Sequence, residues 1–486
     1  MKGSIVLPFL LFAVASLPFG AIAQSIGTFT FTGNQTSQRQ FHTATLLPNG
    51  KVLLAGGFAI ISGWPAWASA ELYDPSTGTF AATSEMTAPR YFHTATLLPD
   101  GKVLIAGGNA SAANGCFCSP LATAELYDPA TGAFTATGAM TTARSRHTAT
   151  LLNTGKVLIA GGITDHKLAS AELYDPSTGT FTGTGGMNAT RWAHTATLLT
   201  NGKVLMAGGR HEDDPEEGAE VYDPDSGTFS LSGKSVYPGA FAASASLLMD
   251  GKVLVALQSD GWPSEFAEVY DPSSGTFSAT GKMTKGRMFS TSTLLPDGKV
   301  LIAGRDLVTS HGSADVYDPV ARTFSTTEGL VTSREEGYTA TLLPNGTVLM
   351  SGGWNCCGYS VDTAVLYLPV ALAPPPALLS ISQDGRGQGA ILRAGTNQIV
   401  SSENPATAGE ILEIYCTGLT ASSVIPPQVA IGGHMAKILF FGKAPGFESL
   451  NQVNVRVPTG VASGPAVPVR LTYLGRPSNE VTVGMR

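Results

Sequence analysis

The stretch His42-Thr-Ala-Thr-Leu-Leu-Pro-Asn-Gly-Lys-Val-Leu-Leu-Ala-Gly-Gly57 decides how this chain folds, because it returns. A variable loop follows it, then Ala70-Glu-Leu-Tyr-Asp-Pro-Ser-Thr-Gly-Thr-Phe80, then Met86 and Arg90, and the cycle restarts at His93. The His42 position recurs at His93, His147, His194, Ala243, Ser290 and Tyr338, at spacings of 51, 54, 47, 49, 47 and 48 residues. Each period holds four short strand segments. Thr-Ala-Thr-Leu is brief and β-favouring. The Asn-Gly or Asp-Gly that follows it in six of seven copies supplies the positive φ angles of a tight hairpin. Lys-Val-Leu-(Leu/Ile/Met)-Ala is apolar throughout, as a strand packed on both faces requires. Ala-Glu-(Leu/Val)-Tyr and Thr-Phe flank an Asp-Pro turn closed by glycine, the proline presetting φ near −65°. Seven such periods of about 50 residues predict a seven-bladed β-propeller.

The ends of the repeat array say how the ring closes. The seventh copy stops at Tyr367-Leu368-Pro369 without a fourth strand, and an orphan fourth strand, Gly27-Thr28-Phe29-Thr30, stands near the N-terminus. Pairing the two removes the open sheet edge that would otherwise invite aggregation. A glycine doublet ends the second strand at 56–57, 107–108, 161–162, 208–209 and 352–353, where close backbone approach is expected. Copies five and six have Ala256-Leu257 and Gly304-Arg305 there and lack the histidine. Copy six also has Arg322 where the Asp-Pro turns of the others carry glycine, which predicts a strained turn.

Residues 1–23 read as a signal peptide: Lys2, an apolar run from Ile5 to Phe19 too short to span a bilayer, then Ala21-Ile22-Ala23 before a cut. No later segment is long and apolar enough to be a transmembrane helix, so a secreted, periplasmic or cell-surface monomer is expected. Residues 24–370 carry 20 basic against 30 acidic side chains, with no basic stripe, which argues against nucleic acid and anionic membranes. Five cysteines in an exported chain allow a Cys116–Cys118 bridge, a vicinal Cys356–Cys357 bridge or a bridge between those loops. Cys416, inside the apolar run Ile411–Leu419, is expected to stay a buried thiol.

Beyond residue 369 the period vanishes. Residues 370–378 form a Pro-rich connector, and 379–486 read as an immunoglobulin-like β-sandwich of six or seven strands, among them Glu410–Tyr415, Ala436–Phe441 and Val467–Tyr473.

The Gly-Gly, Tyr-Asp-Pro and Met-x-x-x-Arg elements resemble the kelch family across residues 24–369, with Phe80, Phe134, Phe181, Phe229, Phe277 and Phe324 where kelch blades usually carry Trp. Asn404-Pro-Ala-Thr-Ala-Gly-Glu410 before a strand ending Cys416-Thr-Gly-Leu resembles the IPT/TIG type of immunoglobulin-like domain. Ala444-Pro-Gly-Phe447, Asn451-Gln-Val-Asn454 and Ser478-Asn-Glu-Val-Thr resemble an uncharacterised C-terminal domain of exported bacterial proteins. The whole layout is similar to galactose oxidase and its relatives, whose copper-radical chemistry needs two His and two Tyr, one Tyr linked to Cys, with one His from the C-terminal domain. His434 is the only C-terminal histidine here, and Cys356 and Cys357 near Tyr359 are the nearest thing to a crosslink site. No Ser-x-Asp-x-Gly-x-x-Trp box supports a sialidase, and no nucleophile elbow, phosphate loop or HExxH motif is present.

The repeated His42, His93, His147 and His194 occupy one place per blade and cannot converge on one ion at about 2 Å, so each is expected to bond a neighbouring backbone. Glu71, Glu125, Glu172, Glu220 and Glu268 read as blade-to-blade pairs or caps. Function is expected where copies differ, in the loops after the doublet. Trp64, Trp67, His166, His211, Asp260, Trp262, Trp354 and Tyr359 are the candidate ligand contacts, since flat rings stack on sugars and carboxylates accept hydroxyl or amide protons. His211, Glu212, Asp213 and Asp214 are the weak candidates for a divalent cation, against a solvated acidic loop. The sequence therefore predicts a carbohydrate- or protein-binding module without a cofactor and leaves catalytic activity open, with a copper-radical oxidase of galactose oxidase type as the alternative.

Overall fold

The computed structural model describes residues 26–486 apart from 60–65, 111–118, 210–217, 238–239, 260–262, 307–310, 328–333, 335, 356–358 and 421–422. The segment 1–23 and its proposed cleavage site lie outside the described residues. Every element is a β-strand, and no described helix is long and apolar enough to cross a membrane. Seven four-stranded antiparallel sheets follow one another. The first consists of Thr43–Leu46, Val52–Ala55, Ala70–Asp74 and Thr79–Ala82. The seventh takes its outer strand from the other end of the chain: Thr28–Phe31 pairs with Ala364–Leu368, Thr28 opposite Leu368 and Phe31 opposite Val365. The ring closes as the orphan strand predicted.

Side-chain alternation welds the blades. Val52, Leu53, Leu54 and Ala55 are at most 1% exposed. Leu53 and Ala55 pack with Val103 and Ile105 of blade two, while Val52 and Leu54 pack with Leu343 and Leu349 of blade seven. A period of two thus serves two interfaces, each buried Leu or Ile contributing about 1.5–3 kcal/mol. The phenylalanines in the kelch tryptophan place lean on their own blade's tyrosine, as Phe80 does on Tyr73 at 4.8 Å between centroids. Arg322 adopts φ +56°, the left-handed conformation its glycine counterparts take, Gly78 for example at +69°.

The glycine doublet is a packing device. A Cβ on Gly56 would lie 2.4 Å from the carbonyl oxygen of Arg90 and 2.8 Å from the His93 ring, so the next blade's lead-in segment occupies that space. Where the doublet is missing the strands run on. Blades five and six contain Ala240–Leu247, Val253–Ser259, Met288–Leu294, Val300–Asp306 and His311–Asp318, of seven or eight residues against four or five elsewhere. At about 3.3 Å per residue this adds roughly 10 Å of sheet at the variable-loop end of those blades.

The C-terminal region is a two-sheet sandwich of six and five strands. Its core includes Leu412, Ile414, Val429, Val453, Val469 and Leu471. Cys416 is free and buried there, and burial pushes its thiol up to about 12. Ala377–Leu378 pairs with Thr417 and Cys416, so the end of the Pro-rich connector is already part of the sandwich. The sandwich sits on the hairpin-turn end of the propeller. Val424 N–H donates to Met249 O at 2.8 Å, Arg470 Nη1 to Asp100 O at 2.8 Å, and the buried Arg476 Nη1 to Pro344, Ala373 and Pro374 carbonyls at 3.0–3.2 Å. A cavity of about 420 Å³ remains between the channel and this cap, lined by Leu46, Leu97, Leu151, Leu342, Gln428 and Met435 among others.

Candidate functional site

Read outward from the channel, the repeated polar residues belong to the scaffold. His93 Nε2 meets Thr43 Oγ1 of the preceding blade at 3.0 Å, His147 meets Thr94 at 3.0 Å, His194 meets Thr148 at 2.9 Å, and His42 meets Thr339 at 3.3 Å. In blade six Ser290 takes the histidine's part on Ser244 at 3.1 Å. The expected partner was a neighbouring backbone; the observed one is a hydroxyl on the neighbouring blade, which the Thr-rich first strand supplies. All four imidazoles are buried, and burial with nearby arginine charge drives them neutral, His147 and His194 down to about 3.

The repeated glutamates pair and cap as expected. Each meets the arginine that ends the copy before it, or, for Glu71, the equivalent Arg39 ahead of copy one. Arg39–Glu71 stand at 2.9 Å, Arg90–Glu125 at 2.6 Å, Arg144–Glu172 at 2.9 Å and Arg191–Glu220 at 3.2 Å, and Arg287–Asp315 completes the set at 2.7 Å, every side chain 0–2% exposed. The second carboxylate oxygen caps a backbone amide, as Glu71 does for Thr36 at 2.7 Å. Two blades break the pattern. Glu268 receives Ser235 and the Val236 amide, and burial pushes its carboxyl up. In blade seven Val365 stands in the carboxylate's place, Arg334 donates to the Gly352 and Thr363 carbonyls, and burial lowers its guanidinium to about 10.

Around the variable-loop mouth a second ring appears. In six of the seven blades the residue just before the histidine position has left-handed backbone: Phe41 (φ 53°), Phe92 (53°), Arg146 (54°), Ala193 (53°), Phe289 (49°) and Gly337 (72°). These residues are chained across blades: Phe41 N–H donates to Gly337 O, Phe92 to Phe41 O, Arg146 to Phe92 O and Ala193 to Arg146 O, at 2.8–3.2 Å. Their side chains form a ladder over blades one to four. Phe58 stacks on Phe41 (5.7 Å), Phe41 meets Phe92 (4.2 Å), and the Arg146 guanidinium lies 3.8 Å from the Phe92 ring centre and 4.9 Å from that of Trp192. Phe41, Phe92, Arg146 and Trp192 are half-buried. Left-handed backbone costs a bulky residue about 1–3 kcal/mol. Blade four manages with Ala193 and blade seven with Gly337, so the fold itself does not call for the rings.

This arc was not among the sequence candidates, although its signal was present: the position before each histidine reads Phe, Phe, Arg, Ala, Ala, Phe, Gly within an otherwise regular repeat. Of the candidates, Trp67 is half-buried and its Nε1 donates to Gln38 O at 3.2 Å. His166 is exposed with Nδ1 2.6 Å from Asp165. Trp354 is half-buried and Tyr359 is 64% exposed. They stand on blades one, three and seven, and no hydrogen bond, ion pair or ring contact among the described residues joins them. Trp64, Asp260, Trp262, the cysteines Cys116, Cys118, Cys356 and Cys357, and the acidic loop with His211, Glu212, Asp213 and Asp214 lie outside the described residues.

A copper centre of two His and two Tyr does not fit the described side chains. Each repeated histidine is committed to its neighbouring blade, Tyr338 Oη donates to Ala303 O at 2.5 Å, and His434 lies against Gly460 in the sandwich. No group of three or more His, Cys, Asp or Glu able to hold a metal occurs among the described residues. No family model matches the chain, and neither does any curated protein. Among solved structures, it is similar to a fungal alcohol oxidase of the AA5 family in complex with copper, at 16% identity and a TM-score of 0.60, over 95% of this chain and all of that one. At that identity the likeness concerns architecture, and it extends over the propeller and the sandwich together. By fold this chain is an all-β, seven-bladed propeller closed by its own N-terminal strand and followed by a β-sandwich.

Proposed function

We propose that this chain is an exported propeller that binds a carbohydrate or peptide ligand at the variable-loop mouth of its channel, on the arc formed by Phe41, Phe92, Arg146 and Trp192. The observation that carries this reading is the placement of large rings on strained backbone where alanine and glycine serve the fold equally well. Strain held at one rim, at a position that alanine or glycine fills in other blades, is a mark of a functional surface. Aromatic faces suit the apolar side of a sugar or a peptide ring, and Arg146 adds a cation for a carboxylate or hydroxyl. Candidates such as Trp67 and Trp354 on the same face extend the surface. Titration of the full chain with a panel of soluble glycans and peptides tests it. Phe41→Ala/Phe92→Ala/Arg146→Ala is expected to weaken binding at least tenfold with little change in melting temperature, and unchanged affinity in that triple variant refutes the reading.

A copper-dependent alcohol oxidase is the second reading. The likeness to the copper-bound AA5 enzyme over both domains favours it, and of the two functions predicted from sequence it is the one with support from a known protein. The misfit of the described side chains opposes it, so ligands would have to come from segments such as 210–217 and 356–358. Metal analysis of purified protein decides. Stoichiometric copper with alcohol oxidation replaces the binding reading, and absence of copper after copper loading removes the oxidase.

A further inference from the structure

We infer that the free edge strand of the sandwich, Lys437–Lys443, docks an extended segment of a partner protein that is apolar in the middle and carries carboxylates at both ends. This strand ends the six-stranded sheet, hydrogen-bonded on one side to Asn451–Arg456 and, among the described residues, without a strand partner on the other. An edge strand presents outward N–H and C=O groups ready to pair with an added strand. Its sequence is Lys-Ile-Leu-Phe-Phe-Gly-Lys, and a register shift between Ile438 and Phe440 leaves two consecutive apolar residues outward, Leu439 at 42% and Phe440 at 45% exposure. The strand borders a groove of about 970 Å³, whose other walls include Val424, Ile425 and the blade-four turn residues Asn201 and Asp225. A segment of six or seven residues in extended form, roughly 20 Å long, matches such a groove beside the strand.

Charge selects the occupant. Lys437 and Lys443 bracket the apolar stretch, both exposed. A second copy pairing antiparallel would set Lys437 opposite Lys443, and a parallel one would set each lysine against its twin; like charges directly opposite destabilise a strand pair. The lysines and the bulge therefore block self-association. They leave the edge complementary to a strand with Glu or Asp at its ends, in either direction.

The test uses the full-length mature chain and two fluorescently labelled peptides, Glu-Val-Thr-Val-Thr-Val-Glu and the same sequence with lysine at both ends, followed by anisotropy. Saturable binding of the acid-flanked peptide is expected, with the lysine-flanked one at least tenfold weaker. Lys437→Glu/Lys443→Glu should reverse that preference, an outcome that misfolding could not produce. Equal binding of both peptides, or binding of neither, overturns the proposal. So does a wild-type dimer that Phe440→Lys converts to monomer, since the edge would then serve self-pairing.

Discussion

Arg144 and Glu172 face each other at 2.9 Å with at most 2% of either side chain exposed, and the geometry recurs in four other blades. Removing one partner leaves a buried charge uncompensated, at a cost of about 3–5 kcal/mol. Arg144→Met is therefore expected to lower the urea midpoint strongly, while Arg144→Met/Glu172→Leu recovers most of the loss. The histidines give a second prediction at this scale. An unfolded imidazole takes its proton near 6.5, whereas His147 and His194 do so only near 3. Between those values the unfolded chain binds more protons, so stability falls as pH falls, approaching about 1.4 kcal/mol per pH unit for each histidine. Urea unfolding at pH 7, 6 and 5 should show this slope, and His147→Gln/His194→Gln should reduce it by about half, since His42 and His93 shift the same way. The repeat announced these residues as structural, but their partners were not legible: which hydroxyl or guanidinium each meets depends on how far the chain advances in space per period.

Thr28–Phe31 is four residues long, yet it covers the whole outer edge of blade seven. Deleting residues 24–32 should expose the Ala364–Leu368 edge, lower the melting temperature by several degrees and produce concentration-dependent aggregates on size exclusion. A synthetic peptide of residues 24–34 added in trans is expected to reverse both effects. This strand was readable from sequence because a blade missing its fourth strand and a spare fourth strand are complementary facts. The lengthened strands of blades five and six were not readable. Loss of the glycine doublet was visible, but its consequence required knowing that positive φ at Gly56 and Gly57 is what ends the strand elsewhere.

At the scale of the whole molecule, the sandwich caps the hairpin-turn end of the channel, opposite the variable-loop end on which the proposed ligand surface lies. Arg476 holds that arrangement through Pro344 in the propeller and Ala373 and Pro374 in the connector. Hydrogen bonds from a buried cation are worth about 1.5–3 kcal/mol, so Arg476→Ala should loosen the docking, raise the rate of proteolytic cutting within 370–376 and enlarge the particle by small-angle scattering, with the propeller's own melting little changed. Fold and closure were determined by the sequence alone, because strand alternation and turn chemistry act over a few residues and were repeated seven times. The mouth arc, the exposed sandwich edge and the capped channel were decided only in three dimensions. Phe41, Phe92, Arg146 and Trp192 are separated by about 50 residues at each step, and only a ring that returns each period to the same radius can set their side chains within 5 Å of one another.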